Sequence, residues 1–258
     1  MFMHGHADFS ELVIVLDGSA VHIVDDERFN IRKGDVFVMG NGICHGYDSA
    51  ENFKICNVMF RSENLLSGDY DIKQLPGFHA LFLLEQHFNT AQGFKSRLRL
   101  EPESFDMISR LIDTTISEYT GKSPGRKTIL QSYFMQIVVE LSRIYVTAKK
   151  HKEIDGISGA AAYMERHYAE DISIDSLLKV SHYSQRHFIR LFEKNYNTTP
   201  QKYLLGIRMR RACVLLRDSD SSITQIATNC GFNDASYFSR IFKKYTNFTP
   251  NQYRRTMS

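Results

Sequence analysis

Arginine is the side chain best built to read a guanine edge, because its planar fork donates two parallel hydrogen bonds to O6 and N7. Two stretches of this 258-residue chain place arginine where it could do so. Residues 184–203 read SQRHFIRLFEKNYNTTPQKY, and residues 234–253 read DASYFSRIFKKYTNFTPNQY. At a constant offset of 50, eight of 20 positions are identical: Phe188/Phe238, Arg190/Arg240, Phe192/Phe242, Lys194/Lys244, Asn197/Asn247, Thr199/Thr249, Pro200/Pro250 and Tyr203/Tyr253. Two copies of one pattern imply two copies of one structural unit. At helical spacing, Phe188, Leu191, Phe192 and Tyr196 fall on one face, with Arg186, Ile189, Arg190 and Glu193 opposite. In the second copy Phe238, Ile241, Phe242 and Tyr245 form the apolar face, and Ser236, Ser239, Arg240 and Lys243 oppose it. A short exposed helix of this kind fits a major groove. The competing reading is a helical bundle whose arginines are only solvated. For one helix the two are evenly matched, and the duplicated caps, turns and arginines decide for groove reading.

The elements that position these residues announce their own ends. Ser222-Ile-Thr-Gln225 is a capping box, and Thr199-Pro200 and Thr249-Pro250 each pair an N-cap with proline at the first helical position. Gly231 supplies the positive φ of a tight turn, and Asp234 caps the helix that follows. Lys243 and Lys244 extend the basic surface toward phosphate.

Residues 157–255 strongly resemble the DNA-binding domain of the AraC/XylS family, and GFNDASYFSRIFKKYTNFTPNQYR at 231–254 resembles its signature almost throughout. The resemblance implies two helix-turn-helix units joined by a long helix, here Pro200 to Leu216, with Tyr203, Leu204, Ile207, Ala212, Leu215 and Leu216 inward. It carries base reading to Arg186, Ile189 and Arg190 in the first unit and to Ser236, Ser239 and Arg240 in the second. The first unit departs from the pattern, with Leu178 where alanine is usual and Ser181-His182 in place of the glycine turn. A cytoplasmic, sequence-specific transcription regulator follows, an activator rather than an enzyme, with double-stranded DNA and RNA polymerase as partners.

The first 100 residues read as β-structure. Short apolar runs (Glu11–Leu16, Ala20–Val24, Val36–Met39, Ile55–Phe60) alternate with turn signals at Asp17-Gly18, Lys33-Gly34-Asp35 and Gly40-Asn41-Gly42, which suggests a sandwich or barrel. Runs at Ala80–Leu84 and Leu98–Leu100 would complete it. From 101 to 148 the period becomes helical. Phe105, Ile108, Leu111, Ile112, Ile116 and Tyr119, then Leu130, Phe134, Ile137, Val138, Leu141 and Ile144, make two stripes around the breaker Gly121–Gly125. This hairpin either packs on the barrel or pairs two chains into a homodimer. The polar stretch 149–156 reads as a linker to the domain at 157–258. The fold class is thus α+β and multidomain: a cupin-like β-barrel with a helical hairpin, then an all-α domain.

Charge is segregated in the same way. Residues 1–100 hold 9 Lys and Arg against 13 Asp and Glu, a net of −4, and residues 151–258 hold 16 against 10, a net of +6. A basic surplus confined to one domain fits a nucleic-acid partner there. No run of about 18 apolar residues exists, so no membrane partner is expected. Met1–His6 lacks the basic flank and apolar run of a secretion signal. Scattered Cys44, Cys56, Cys213 and Cys230 read as reduced thiols.

His4-x-His6, then Glu11 and Gly18, resembles the first cupin motif, and Gly34 through Gly42 to His45 resembles the second, with Gly40 in place of its proline. The resemblance makes residues 1–100 an effector-sensing barrel, with a sugar or another small polar molecule as the default effector. His4, His6, Glu11 and His45 are the candidate effector site. Three imidazoles and a carboxylate could hold hydroxyls directly, or bind a divalent metal. Two functions compete for this half: a sensor without a cofactor, or a metal-binding cupin enzyme fused to a DNA-binding domain. The end-to-end likeness to AraC-type regulators favours the sensor.

Overall fold

The computed structural model describes residues 3–5, 8–24, 27–40, 42–61, 65, 70–84, 98–148 and 152–257, with side chains at 152–155 and 257 left aside. The chain divides into two compact units, Met1–Gly68 with Leu75–Ser158, and Asp69–Gln74 with Gly159–Ser258.

The first unit is built on an antiparallel sheet of β1 (Ser10–Val24), β2 (Glu27–Arg32), β3 (Asp35–Met39), β4 (His45–Phe60) and β5 (Leu98–Arg99). Strand β1 organises it. One edge of β1 runs along β4, from Ser10↔Phe60 to Val24↔His45, while the other edge is shared by β3 at Glu11–Ile14 and β2 at Ser19–Val24. The two short strands expected at Glu11–Leu16 and Ala20–Val24 are therefore one strand. The register against β4 shifts between Val15 and Val21, and Gly18 takes φ +67° there. Such irregularities add twist and bend a sheet, and here they curl it into a half-barrel. Val13, Val15, Ala20, Val24, Ile31, Phe37 and Met39 fill one side. Leu12 and Ile14, on the opposite face of β1, are equally buried, which explains the unbroken apolar run. Buried Asp35 is held by Arg99 Nε and Nη2 at 2.7 and 2.8 Å and by Arg32 N at 2.8 Å, tying β3 to β5.

The run Ala80–Leu84, expected as a strand, is instead the π-helical end of a helical segment that follows Pro76–Phe78. Pro76 starts a helix, and a short run buried all round carries no period to tell strand from helix. Gly77 lies against the backbone of the hairpin helix, where a Cβ would meet Ser142 O at 1.9 Å. The expected hairpin is present as α1 (Pro102–Thr120) and α2 (Arg126–Thr147). Ile108, Ile112, Ile137, Val138 and Leu141 are buried, and Phe134 packs against Phe60 with ring centroids 5.4 Å apart. Ile116 and Tyr119, assigned to the α1 stripe, are exposed, because they lie in its last turn beyond the packed part.

The second unit is helical: α3 (Lys152–His167), α4 (Ile174–Ser181), α5 (Gln185–Tyr196), α6 (Pro200–Asp218), α7 (Ile223–Asn229), α8 (Ala235–Thr246) and α9 (Pro250–Met257). Residues 152–156, read as linker, form the start of α3, and 149–151 lie outside the described residues. Asp69–Gln74, read as part of the barrel, groups with this unit. Helix α6 supplies Met209, Ala212 and Leu216 to a core shared with Ile226, Ala227, Cys230, Phe232, Phe238 and Phe242. Among the described residues, no helix is long and apolar enough to cross a membrane.

Candidate functional site

The two repeats form a helix, turn and helix each: α4–α5 and α7–α8. In the second, Ser222 and Gln225 close a full capping box on α7. Gly231 takes φ +79°, and a Cβ there would meet Tyr168 O, Ala169 O and Arg208 Nη2, each at 2.9 Å. Arg208 donates through Nε to Tyr168 O and through Nη2 to Glu170 O, both at 2.8 Å, so the Tyr168 carbonyl beside the glycine is pinned. The Asp234 carboxylate then accepts from Ser236 N and Tyr237 N at 2.7 and 2.8 Å. In the first unit, His182 takes the left-handed conformation at φ +58°, two residues before the N-cap Ser184, whereas Gly231 stands three before Asp234. The first turn, residues 182–184, is two residues shorter than the second, residues 230–234.

On the outer face of α5, Arg186 and Arg190 are exposed and Ile189 is half-buried. Arg190 Nη2 donates to His187 Nδ1 at 3.2 Å. On α8, Ser236, Arg240, Lys243 and Lys244 are exposed, and half-buried Ser239 donates its hydroxyl to Ala235 O at 2.8 Å. The Arg240 guanidinium lies over the Tyr237 ring, 5.4 Å from its centroid. Such a cation–π contact holds the fork in place without using its N–H groups. Phe188, Phe192, Phe238 and Phe242 are fully buried beneath these faces. Tyr245, expected in the core, is 51% exposed. Tyr196 follows Phe192 by four residues and stacks on it at 4.6 Å. Tyr245 follows Phe242 by three, and that one-residue difference rotates a side chain by about 100°. Tyr253 packs on Phe242 with ring centroids 5.4 Å apart, as its counterpart Tyr203 does on Phe192. Tyr237 and His187, which steady the arginines, were missed in the sequence, although an aromatic ring three residues before each arginine was the available signal.

In the half-barrel, His4, Glu11 and His45 come together, their nearest ligand atoms all within 4.8 Å of one another. His6 lies outside the described residues. The main chains of His4 and His45 exchange two hydrogen bonds of 2.9 Å, and their rings lie 4.5 Å apart. Glu11 and His45 are 3% and 1% exposed. Glu11 Oε2 and His45 Nε2 face each other at 3.0 Å, yet neither is in hydrogen-bonding geometry. The structure adds His22, whose Nε2 is hydrogen-bonded to His45 Nδ1 at 3.2 Å. His22 is stacked between Phe37 and Tyr47. Burial, and then the charges of His45 and His4, push its pKa down to about 3, so it is neutral at physiological pH. Burial and then Glu11 hold the Tyr47 hydroxyl well above the usual phenol range, which keeps it a donor. Tyr47 Oη and Asn57 Oδ1 are buried without hydrogen bonds. His4, Glu11, His22, His45 and Tyr47 thus form a polar cluster in an otherwise apolar half-barrel.

Comparison with known proteins decides what these two sites belong to. Residues 1–138 match the model of the AraC-like ligand binding domain, and residues 177–256 match that of a helix-turn-helix domain. The chain belongs to the AraC family of transcription regulators. It is 28% identical over 253 residues to the HTH-type transcriptional activator RhaS of Escherichia fergusonii, covering 98% of this chain and 87% of that one. It is 25% identical over 253 residues to the activator RhaR of Mannheimia succiniciproducens, covering 98% and 86%. A crystal structure of an AraC-type regulator from Chromobacterium violaceum is similar at 33% identity and a TM-score of 0.38, over 40% of this chain and 92% of that one. This AraC-family chain is a DNA-binding transcription regulator with an N-terminal ligand-binding domain, as the repeated helices and the barrel motif led one to expect.

Proposed function

We propose that this regulator activates transcription when a small, hydroxyl-bearing molecule of the sugar class enters the half-barrel and is held by His4, Glu11 and His45, with His6 on the same N-terminal segment and Tyr47 beside them. The observation that carries this is the set of buried polar atoms lacking hydrogen bonds: Glu11 Oε2, His45 Nε2, Tyr47 Oη and Asn57 Oδ1. Buried polar groups are ordinarily paired, and several orphans in one domain are what a ligand rich in donors and acceptors would satisfy. Arg186, Ile189 and Arg190 on α5, and Ser236, Ser239 and Arg240 on α8, read bases, while Lys243 and Lys244 meet phosphate.

The regulator works as a homodimer through its helical hairpin and contacts RNA polymerase from the DNA. Exposed Ile116, Tyr119 and Ile129, near the hairpin tip, support the first part. The barrel (1–100), hairpin (101–148) and DNA-reading domain (157–258) divide this work, and catalysis has no place in it. A thermal-shift screen of sugars and small metabolites tests the effector site. A compound that raises the melting temperature of the wild-type protein should fail with Glu11→Ala, while reporter activation is lost and DNA binding is kept. A well-folded Glu11→Ala protein that still responds fully would refute it.

A further inference from the structure

We propose that the segment Asp69–Gln74 is a latch on the first recognition helix, with Lys73 as a positioning residue for base reading by α5. This rests on the reading of α5 as a base-reading helix, and on no particular effector. The segment groups with the helical unit, yet the chain on both sides of it, up to Gly68 and from Leu75, belongs to the ligand-binding unit. Chain that is covalently part of the sensing half is thus built into the half that reads DNA. The segment makes a 3₁₀ turn at Asp71–Gln74, in which Ile72 and Lys73 are buried at 1% and 7% exposure. A lysine is seldom buried unless an acid meets it. Here the acid is Glu165 of α3, itself 3% exposed. Burial, and then Arg210 of α6, lower the Lys73 pKa, and Glu165 opposes them. Arg210 Nη2 donates to Glu165 Oε1 at 3.1 Å, and Arg166 Nη2 donates to Gln74 O at 3.0 Å. One side chain of α3 therefore grips the end of the segment while its neighbour attracts the lysine.

This charge cluster bears on α5. Tyr196, in the last turn of α5, stacks on Phe192 at 4.6 Å and packs on Tyr203 of α6 at 4.9 Å. Glu165 adds to the burial that holds both phenols above their usual range, so it lies beside them as well as beside Lys73. The second repeat closes its recognition helix differently. Thr246 stands where Tyr196 does, and its hydroxyl donates to Phe242 O at 2.9 Å and accepts from Phe248 N at 3.2 Å. Helix α8 is thus tied off by its own chain, and α5 through a cluster that a distant segment completes. The latch is poised rather than rigid. Taking a lysine out of water costs what its ion pair must return, and Arg210 beside it subtracts from that return. A contact so near balance opens for a small change in free energy, and a rearrangement of the ligand-binding unit reaches it through both flanking junctions. Seated, the segment holds α3 and α6 around the end of α5. Released, it leaves Glu165 with Arg210 alone and α5 with a looser end.

The test is Lys73→Met in the full-length protein, which keeps the stem and removes the charge. It is read by hydrogen exchange, and by anisotropy on a duplex selected by the wild-type protein and on its single base-pair variants. Amides of α5 should exchange about tenfold faster while those of α8 do not change. Specific binding should weaken about 5- to 20-fold, with base preference lost only at the positions that Arg190→Ala also relaxes. Adding Glu165→Gln should recover most of both losses, since an ion pair replaced whole costs far less than one broken. Exposed Arg166 supplies the second variant. Arg166→Ala removes the bond to Gln74 O, should move α5 in the same direction by less, and decides the matter if Lys73→Met does not fold. Unchanged α5 exchange and base preference overturn the proposal. So does a loss spread equally over α5 and α8, which would make Lys73 a general stabiliser of the unit. A double variant no better than Lys73→Met overturns the ion pair as the cause. If Arg190→Ala itself leaves base preference unchanged, the reading of α5 fails, and the exchange result still decides whether the latch holds that helix.

Discussion

Replacing Arg240 tests how α8 meets DNA. Its guanidinium lies over Tyr237 with its N–H groups free of the ring contact, on a helix whose buried face is locked by Phe238 and Phe242. If the fork reads a base edge in two hydrogen bonds, Arg240→Ala should cost about 1–3 kcal/mol of specific binding, roughly a 5- to 140-fold rise in Kd. Arg240→Lys keeps the charge but not the fork, so it should lose most of that specificity while holding its non-specific affinity and salt dependence. Tyr237→Ala removes only the support, worth about 0.5–1 kcal/mol, and should raise Kd two- to fivefold. The assay is fluorescence anisotropy at several salt concentrations, with a duplex selected by the wild-type protein from random sequence and with its single base-pair variants. An Arg240→Lys protein with unchanged affinity and base preference would refute the argument. So would an Arg240→Ala protein weakened equally on every sequence, since α8 would then lie on phosphate.

Two further predictions follow from the second unit. Gly231→Ala adds the left-handed cost of about 1–2 kcal/mol to a 2.9 Å encounter with two backbone carbonyls, so urea unfolding of the DNA-binding unit should show a loss of about 2–4 kcal/mol with little change in m. Burial holds the Glu165 carboxyl above its usual range, against the opposing pull of Arg210 and Lys73. Its proton is bound more tightly folded than unfolded, so its contribution is full below pH 4.5 and is lost as pH rises through the folded value. Glu165→Gln should therefore flatten that part of the melting-temperature profile, and an unchanged profile would rule Glu165 out as its source.

What could be read from the sequence depended on the range of the interaction. The offset-50 repeat, the capping box and the Gly231 turn are written in neighbouring residues, and the structure carries them as read. The helical hairpin was legible for the same reason. The single strand β1 was not, because Asp17-Gly18 signals a turn as well as a bulge, and only the pairing with β4 decides between them. His22 had one local signal: it shares strand parity with the inward residues Ala20 and Val24. Nothing local linked Lys73 to the helical unit. Its burial alongside Glu165 and Arg210 joins residues 92 and 137 positions away, and no periodicity records such a contact.

The repeats are alike in sequence but not in how firmly they hold their recognition helices. Helix α8 begins with an aspartate that caps two N–H groups, after a glycine that takes φ +79° at no steric cost beside the Tyr168 carbonyl, which Arg208 clamps. Helix α5 begins with Ser184, which makes no side-chain cap, after a histidine at φ +58°. A lost cap costs about 1 kcal/mol and a left-handed non-glycine residue about 1–2 kcal/mol. The stack of Phe192, Tyr196 and Tyr203 secures the far end of α5 but not its start. Local opening should therefore begin at the α4–α5 turn, and amides in the first turns of α5 should exchange hydrogen at least tenfold faster than those of α8. On the proposed reading of α5 as a base-reading helix, it gains its order on the duplex, so specific DNA should raise protection more in α5 than in α8. Equal protection in the free protein, or a faster-exchanging α8, would contradict the assignment of the two turns as unequal.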